Sequence, residues 1–164
     1  VIARHKYGCR IIQRLIEHCP GEQMRSLVEI LFEEFLDISR HAYGNFVVQN
    51  LLQHLAQDQR SRLVELVEKH VLELASHQHG CAVLGAALEH GDLADKCRLA
   101  EMVLEDSDQV SFMAGTKHGR SIITNLLHAL DGTGCRRLLA LLEGNLKLEE
   151  VLQCRSEEGT CTSC

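Results

Sequence analysis

The sequence predicts an all-α protein, a right-handed α-solenoid of about four helical repeats of roughly 36 residues each. Three observations predict it. The segment His5-Lys-Tyr-Gly-Cys-Arg-Ile-Ile-Gln-Arg-Leu-Ile-Glu-His18 returns as His41-Ala-Tyr-Gly-Asn-Phe-Val-Val-Gln-Asn-Leu-Leu-Gln-His54 and again as His77-Gln-His-Gly-Cys-Ala-Val-Leu-Gly-Ala-Ala-Leu-Glu-His90, each copy 36 residues after the last. Amphipathic stretches lie between the copies. A single Pro in 164 residues argues against a protein built on many tight turns and allows long helices. A fixed period of this length is the mark of stacked repeats, in which no unit can bury its apolar face alone.

The elements follow in order. Each copy opens a helix, with repeat cores at residues 5–19, 41–55 and 77–91. A weaker fourth copy, Lys117-His-Gly-Arg-Ser-Ile-Ile-Thr-Asn-Leu-Leu-His128, gives a core at 116–130. Gly119 follows Gly80 by 39 residues, which implies about three inserted residues, expected in the connection 91–96. A second helix completes each unit. Residues 24–36 carry Leu27, Val28, Leu31, Phe32 and Phe35 on one stripe, and residues 62–72 carry Leu63, Val64, Val67 and Val71. Residues 99–104 and 135–142 fill the same slot later. The unit is therefore read as helix, turn, helix. Residues 1–2 align with 37–38, at a helix end, so the chain is read as part of a longer protein with apolar surface exposed at its start. The repeat domain is expected over 1–152, followed by a polar tail at 153–164.

Composition narrows the class. Lys and Arg number 17 and Asp and Glu 23, for a net charge of −6, with 45% hydrophobic residues. No apolar run approaches the length of a membrane span, and residues 1–5 do not form a secretion signal. The eight Cys are expected as reduced thiols, most of them packed as small hydrophobes. Cys154, Cys161 and Cys164 supply three of the four ligands a zinc site needs, so no metal is assigned. The His ladders His5, His41, His77 and His18, His54, His90 place no two ligands one helical turn apart and are read as caps and packing groups. No phosphate-cradling Gly loop and no nucleophile motif is present, so no enzymatic activity, cofactor or small-molecule substrate is expected.

One helix face repeats a chemistry. On the first helix Cys9, Arg10 and Gln13 project together, while Ile11, Ile12, Leu15 and Ile16 are assigned to the stack. On the second, Asn45, Phe46 and Gln49 take the same three slots, and Val47, Val48, Leu51 and Leu52 the core. A guanidinium plane or phenyl ring gives an unpaired base a surface to stack on. A carboxamide one turn away donates and accepts at a base edge. Repeats presenting two or three such side chains can read one base each. Arg4, Lys6, Arg10 and Arg14 cluster at this first helix, whereas residues 73–111 carry two basic and eight acidic groups, poor electrostatics for a polyanion.

Tyr7-Gly8-Cys9-Arg10-Ile11-Ile12-Gln13 and Tyr43-Gly44-Asn45-Phe46-Val47-Val48-Gln49 resemble the RNA-reading helices of Pumilio (PUF) repeat proteins, and the 36-residue period matches. The resemblance covers residues 1 to about 130. It implies adenine at the Cys-Arg-x-x-Gln unit and uracil at the Asn-aromatic-x-x-Gln unit, with RNA running antiparallel to the repeats. The implied reading is 5′-U-A-3′, by units like the fifth and sixth of an eight-repeat domain. Arg10 and Phe46 would stack, and Cys9, Gln13, Asn45 and Gln49 would contact base edges. Tyr7, Tyr43, Cys81, Arg120, Ser121 and Thr124 are weaker RNA-facing candidates. The third unit, with Cys81, Ala82 and Gly85, carries no stacking or edge-reading group.

The implied function is sequence-specific binding of single-stranded RNA, such as an mRNA 3′-UTR, in cytoplasmic post-transcriptional regulation, with a regulatory protein as a further partner. Two other readings stand beside it. One is a helical scaffold that binds protein, favoured by the acidic surface and the third and fourth units. The other is a nucleolar, ribosome-assembly protein of the same type that grips nucleic acid without sequence preference.

Overall fold

The structure, a computed structural model, describes residues 2–19, 21–115 and 117–142. The tail at 153–164, with its three Cys, lies outside the described residues. A 3-10 turn at Ile2–Arg4 precedes eleven helices: α1 (Gly8–His18), α2 (Gly21–Glu33), α3 (Phe35–Ser39), α4 (Asn45–His54), α5 (Gln57–Lys69), α6 (Val71–Ala75), α7 (Gln78–His90), α8 (Leu93–Leu104), α9 (Ser107–Gly115), α10 (Lys117–Ala129) and α11 (Gly132–Leu142). The helices stack as a right-handed solenoid. Helices α1, α4, α7 and α10 form one layer, each packed on the next. The other layer comprises α2, α5, α8 and α11. No helix among the described residues is long and apolar enough to cross a membrane.

Each of the first three units holds three helices where the sequence suggested two. The backbone leaves helical geometry at Glu34 (φ −95°, ψ 14°) and His70 (φ −118°, ψ 22°). The continuous helices read over 24–36 and 62–72 are therefore each broken. The break has a packing cause. It turns the short α3 and α6 so that Phe35, Ile38, Val71, Leu74 and Ala75 enter the core, all at most 3% exposed. A straight helix would carry the later members of that set off the buried stripe.

The three extra residues lie elsewhere than expected. Connection 91–96 keeps the 36-residue spacing, since α5 starts at Gln57 and α8 at Leu93. It is the start of α8, where Asp92 Oδ1 accepts from Asp95 N at 2.8 Å and Asp95 Oδ2 accepts from Asp92 N at 3.3 Å. This reciprocal cap uses the loop-like Asp residues that suggested an insertion. The insertion falls within α9, which starts at Ser107, 36 residues after Val71, and has nine residues against five in α3 and α6.

A glycine sets the join in every unit. A Cβ on Gly8, Gly44 or Gly80 would stand 2.5–2.6 Å from the carbonyl oxygen of Ile2, Ile38 or Leu74, in each case six residues earlier. Gly119 meets the Met113 carbonyl in the same way. No side chain fits there without moving backbone, so the approach of the short helix to the next long one requires glycine.

The first His ladder caps the layer that follows. His5 Nδ1 accepts from Tyr7 N and Gly8 N, both at 3.3 Å. His41 Nδ1 accepts from Tyr43 N at 3.2 Å and Gly44 N at 3.4 Å. His77 Nδ1 accepts from His79 N at 3.3 Å. A backbone N–H only donates, so each Nδ1 must be unprotonated. Burial first, then the Arg40 and His79 charges, pull the His77 pKa below its ordinary value. The native state thus binds a proton at His77 less readily than the unfolded chain. The stability this confers is complete above the unfolded pKa of about 6.5 and is lost as pH falls from there through the folded value. Urea midpoints measured from pH 8 to pH 5 should fall below pH 6.5, and His77→Asn should flatten that fall.

The core is one continuous cluster from Ala3 to Leu142. Val28, Leu31, Phe32 and Phe35 are buried in it as the stripe predicts, with Leu27 half-buried, and Leu63, Val64, Val67 and Val71 likewise. On α4 all four assigned core residues, Val47, Val48, Leu51 and Leu52, are buried. On α1 only Ile12 is buried and Ile16 half-buried; Ile11 is 61% and Leu15 38% exposed, against the expectation. These two occupy the slots of Val47 and Leu51, and among the described residues no long helix lies on that side of α1. With Ile2 at 65%, they form the exposed apolar surface expected at this end. Of the described Cys, Cys9 and Cys81 are buried and Cys19, Cys97 and Cys135 half-buried, all as free thiols.

Candidate nucleic-acid interface

The layer of α1, α4 and α7 presents the polar slots of the sequence repeat. Between α1 and α4 lies a groove of about 440 Å³ lined by Lys6, Cys9, Arg10, Gln13, Arg14, Tyr43 and Phe46. Phe46 is 52% exposed and Tyr43 40%, unusual for rings in a protein with this little aromatic content. Arg10 is exposed and Gln13 half-buried. The groove therefore offers two rings and a guanidinium to a planar ligand, with a carboxamide beside them. Three cations line it; Arg14 is ion-paired with Glu17 at 2.6 Å, so Lys6 and Arg10 set its charge. A chain of net charge −6 thus keeps a local positive field here.

The other predicted residues take different places. Cys9 is 3% exposed and its Sγ donates to Lys6 O at 3.4 Å, so it forms floor and presents no edge. Asn45 is 2% exposed; its Nδ2 donates to His41 O at 2.8 Å and Ala42 O at 3.0 Å. Its Oδ1 accepts from Gln49 Nε2 at 2.8 Å. Asn45 thereby fixes the half-buried Gln49 through its amide nitrogen, which leaves the Gln49 carbonyl oxygen as an acceptor to offer. Tyr7 is exposed at 65% beside Lys6, whose Nζ lies 5.5 Å from the ring centroid, and it lies outside the groove.

Beyond the second unit the candidates thin out. Cys81 is wholly buried, its Sγ donating to Ala75 O at 3.2 Å, and burial pushes its thiol up to about 11. It cannot face RNA, which corrects the sequence reading; the slot after the repeat glycine points inward, as Cys9 and Asn45 also show. Ser121 is exposed, Arg120 half-buried, and Thr124 Oγ1 donates to Arg120 O at 3.2 Å. Arg4 belongs elsewhere, its guanidinium reaching Glu34 at 3.4 Å and Asp37 at 3.7 Å.

The sequence left Tyr43 among the weaker RNA-facing candidates and did not rank Lys6 and Arg14 as site residues. The signal was present: Lys6 and Arg14 stand four residues either side of Arg10, one helical turn away on the same face.

A stack of short helical units carrying one cationic, ring-lined groove is a repeat-type binding surface. The family model described as "Pumilio-family RNA binding repeat" matches residues 1–32, 34–67 and 70–104, more than half of the chain. The chain belongs to that family. Solved structures share its fold. The structure of PUF-8 in complex with PBE-RNA superposes with a TM-score of 0.76 at 21% identity, covering 95% of this chain and 48% of that one. Puf4 bound to an HO endonuclease RNA 3′ UTR sequence gives 0.71 at 26% identity, covering 86% and 44%. Yeast Puf5p bound to AAT2 RNA gives 0.68 at 19% identity, covering 86% and 40%. The chain spans about half the length of these proteins. A comparison with curated proteins gives no match. The family match ends at residue 104, so the fourth unit, α10 and α11, is evident from the repeat spacing and the structure alone.

Proposed function

We propose that this chain binds single-stranded RNA along the α1–α4–α7 face, reading 5′-U-A-3′ with its first two units, in cytoplasmic post-transcriptional control. The observation that carries this reading is the convergence of Arg10, Tyr43 and Phe46 on one cation-lined groove at the junction of two units. The groove's rings and guanidinium suit a flat unpaired base, and its cations suit the flanking phosphates. The family and the RNA bound to its solved members support the same class of ligand. Arg10 and Phe46 stack, Gln13 and Gln49 meet base edges, and Asn45 and Cys9 act from beneath. Binding, with no chemical step, is the activity.

The test is affinity for short single strands with and without U-A, at one fixed near-physiological salt. U-A strands should bind more tightly, and Gln13→Ala should weaken the preference at A while leaving binding to other strands nearly unchanged. Equal binding of all sequences would favour a nonspecific grip.

One observation favours protein binding as a second activity. A groove of about 610 Å³ between the α5–α6 and α8–α9 junctions is lined by Glu68, Glu73, Glu105 and Asp106, with Lys69 and His70, around Leu72, itself 45% exposed. With four carboxylates against Lys69, this surface suits a protein partner better than a polyanion. Retention of a partner protein with no RNA binding would make the scaffold the primary role.

A further inference from the structure

The third unit keeps the framework of the first two and lacks their reading groups. His77 caps its long helix as His5 and His41 do, and Gly80 lies against the Leu74 carbonyl as Gly44 lies against Ile38. Val83, Leu84, Ala87 and Leu88 are buried, so α7 continues the α1–α4 layer without distortion. At the start of this helix His79 replaces Tyr7 and Tyr43, with its ring 5.6 Å from that of His77, against 5.9 and 6.0 Å for the earlier pairs.

The difference is confined to the slots that face outward. Where Arg10 and Phe46 stand, this unit has Ala82; where Gln13 and Gln49 stand, it has Gly85; both are half-buried. A methyl group gives no plane for stacking, and glycine has no group to bond a base edge. Crowding is not the cause at position 85. A Cβ there would meet only Ile122 Cγ1, at 3.6 Å, an ordinary contact.

We infer that the third unit is a silent step, which gives the strand a path for one more nucleotide but does not discriminate its base, and that Ala82 and Gly85 set this limit. The inference rests on the proposed U-A reading. The target would then be a U-A pair flanked, on the U side, by any base.

The experiment varies one position at a time in a short strand containing U-A. With the unmodified chain, changing the nucleotide beside U through all four bases should alter Kd less than about twofold, while changing U or A should weaken binding roughly fivefold or more. A spread above about fivefold at the flanking position would overturn the inference. Equal tolerance at all three positions would count instead against the U-A reading itself. The variant A82F/G85Q copies Phe46 and Gln49 into the open slots. With its helicity intact by circular dichroism, it should bind roughly fivefold tighter and acquire a base preference at the flanking position. Unchanged tolerance there would show that Ala82 and Gly85 do not set the limit. Should the variant unfold, the four-base series on the unmodified chain decides by itself.

Discussion

Replacing Phe46 with Ala should weaken binding to a U-A strand roughly 5- to 150-fold, the range that loss of one stacked base produces at about 1–3 kcal/mol. Stability should change little, because the ring is 52% exposed and closes no part of the core. Arg10→Ala should act in the same range, since it removes both a stacking plane and one of the groove's three cations. Arg10→Lys separates the two contributions. A lysine keeps the charge and loses the plane, so it should recover the salt dependence of binding without recovering most of the affinity. Fluorescence anisotropy at two salt concentrations reads both. If Phe46→Ala and Arg10→Ala bind as the unmodified chain does, the groove between α1 and α4 is not where the base lies.

The second large effect concerns the joins. Gly80→Ala should destabilise the protein by about 1–3 kcal/mol, the ordinary cost of forcing a group into a filled space. The added Cβ would stand 2.5 Å from the Leu74 carbonyl oxygen and 2.8 Å from its Cα, both backbone atoms that cannot swing away. For a chain of this size the melting temperature should fall by several degrees. Gly21→Ala is the control. It lies at the exposed start of α2 with nothing within 4 Å of an added methyl group, and alanine favours the helix, so stability should hold or rise slightly. Equal melting temperatures for the two variants would show that the short helices do not press on the long ones as described. Because repeat stacks couple neighbour to neighbour, the Gly80 change should also loosen α7 against α4.

The period carried most of the fold into view. Spacing alone located α1, α4, α7 and α10 and the apolar stripes that cover them. It missed the breaks at Glu34 and His70 because neither residue is a helix breaker. The bend is imposed by the burial of Phe35, Ile38, Val71 and Leu74, a demand of the tertiary stack. It misplaced the insertion because Asp92 and Asp95 read as a polar loop until their reciprocal cap is seen. Ile11 and Leu15 have the same local pattern as Val47 and Leu51, and only the neighbour across the layer decides which pair is covered.

The site was legible in part. Arg10, Gln13, Phe46 and Gln49 could be picked by face, because residues one and four apart share a side of a helix. Burial of Cys9, Asn45 and Cys81 could not, since the slot after the repeat glycine turns toward the preceding short segment. Tyr43 gained its place only when α4 was seen beside α1, as a groove between units belongs to neither sequence copy alone.

The placement of a base against Tyr43 and Phe46 can be observed directly by NMR. The chain has two Tyr and four Phe, so their ring signals are few enough to assign. Titration with a short single strand containing U-A should shift the Tyr43 and Phe46 ring protons upfield, as stacking on a nucleobase requires, and leave signals from α5 and α8 unmoved. Unmoved Tyr43 and Phe46 rings, with the changes gathered on α5 and α8, would contradict the account.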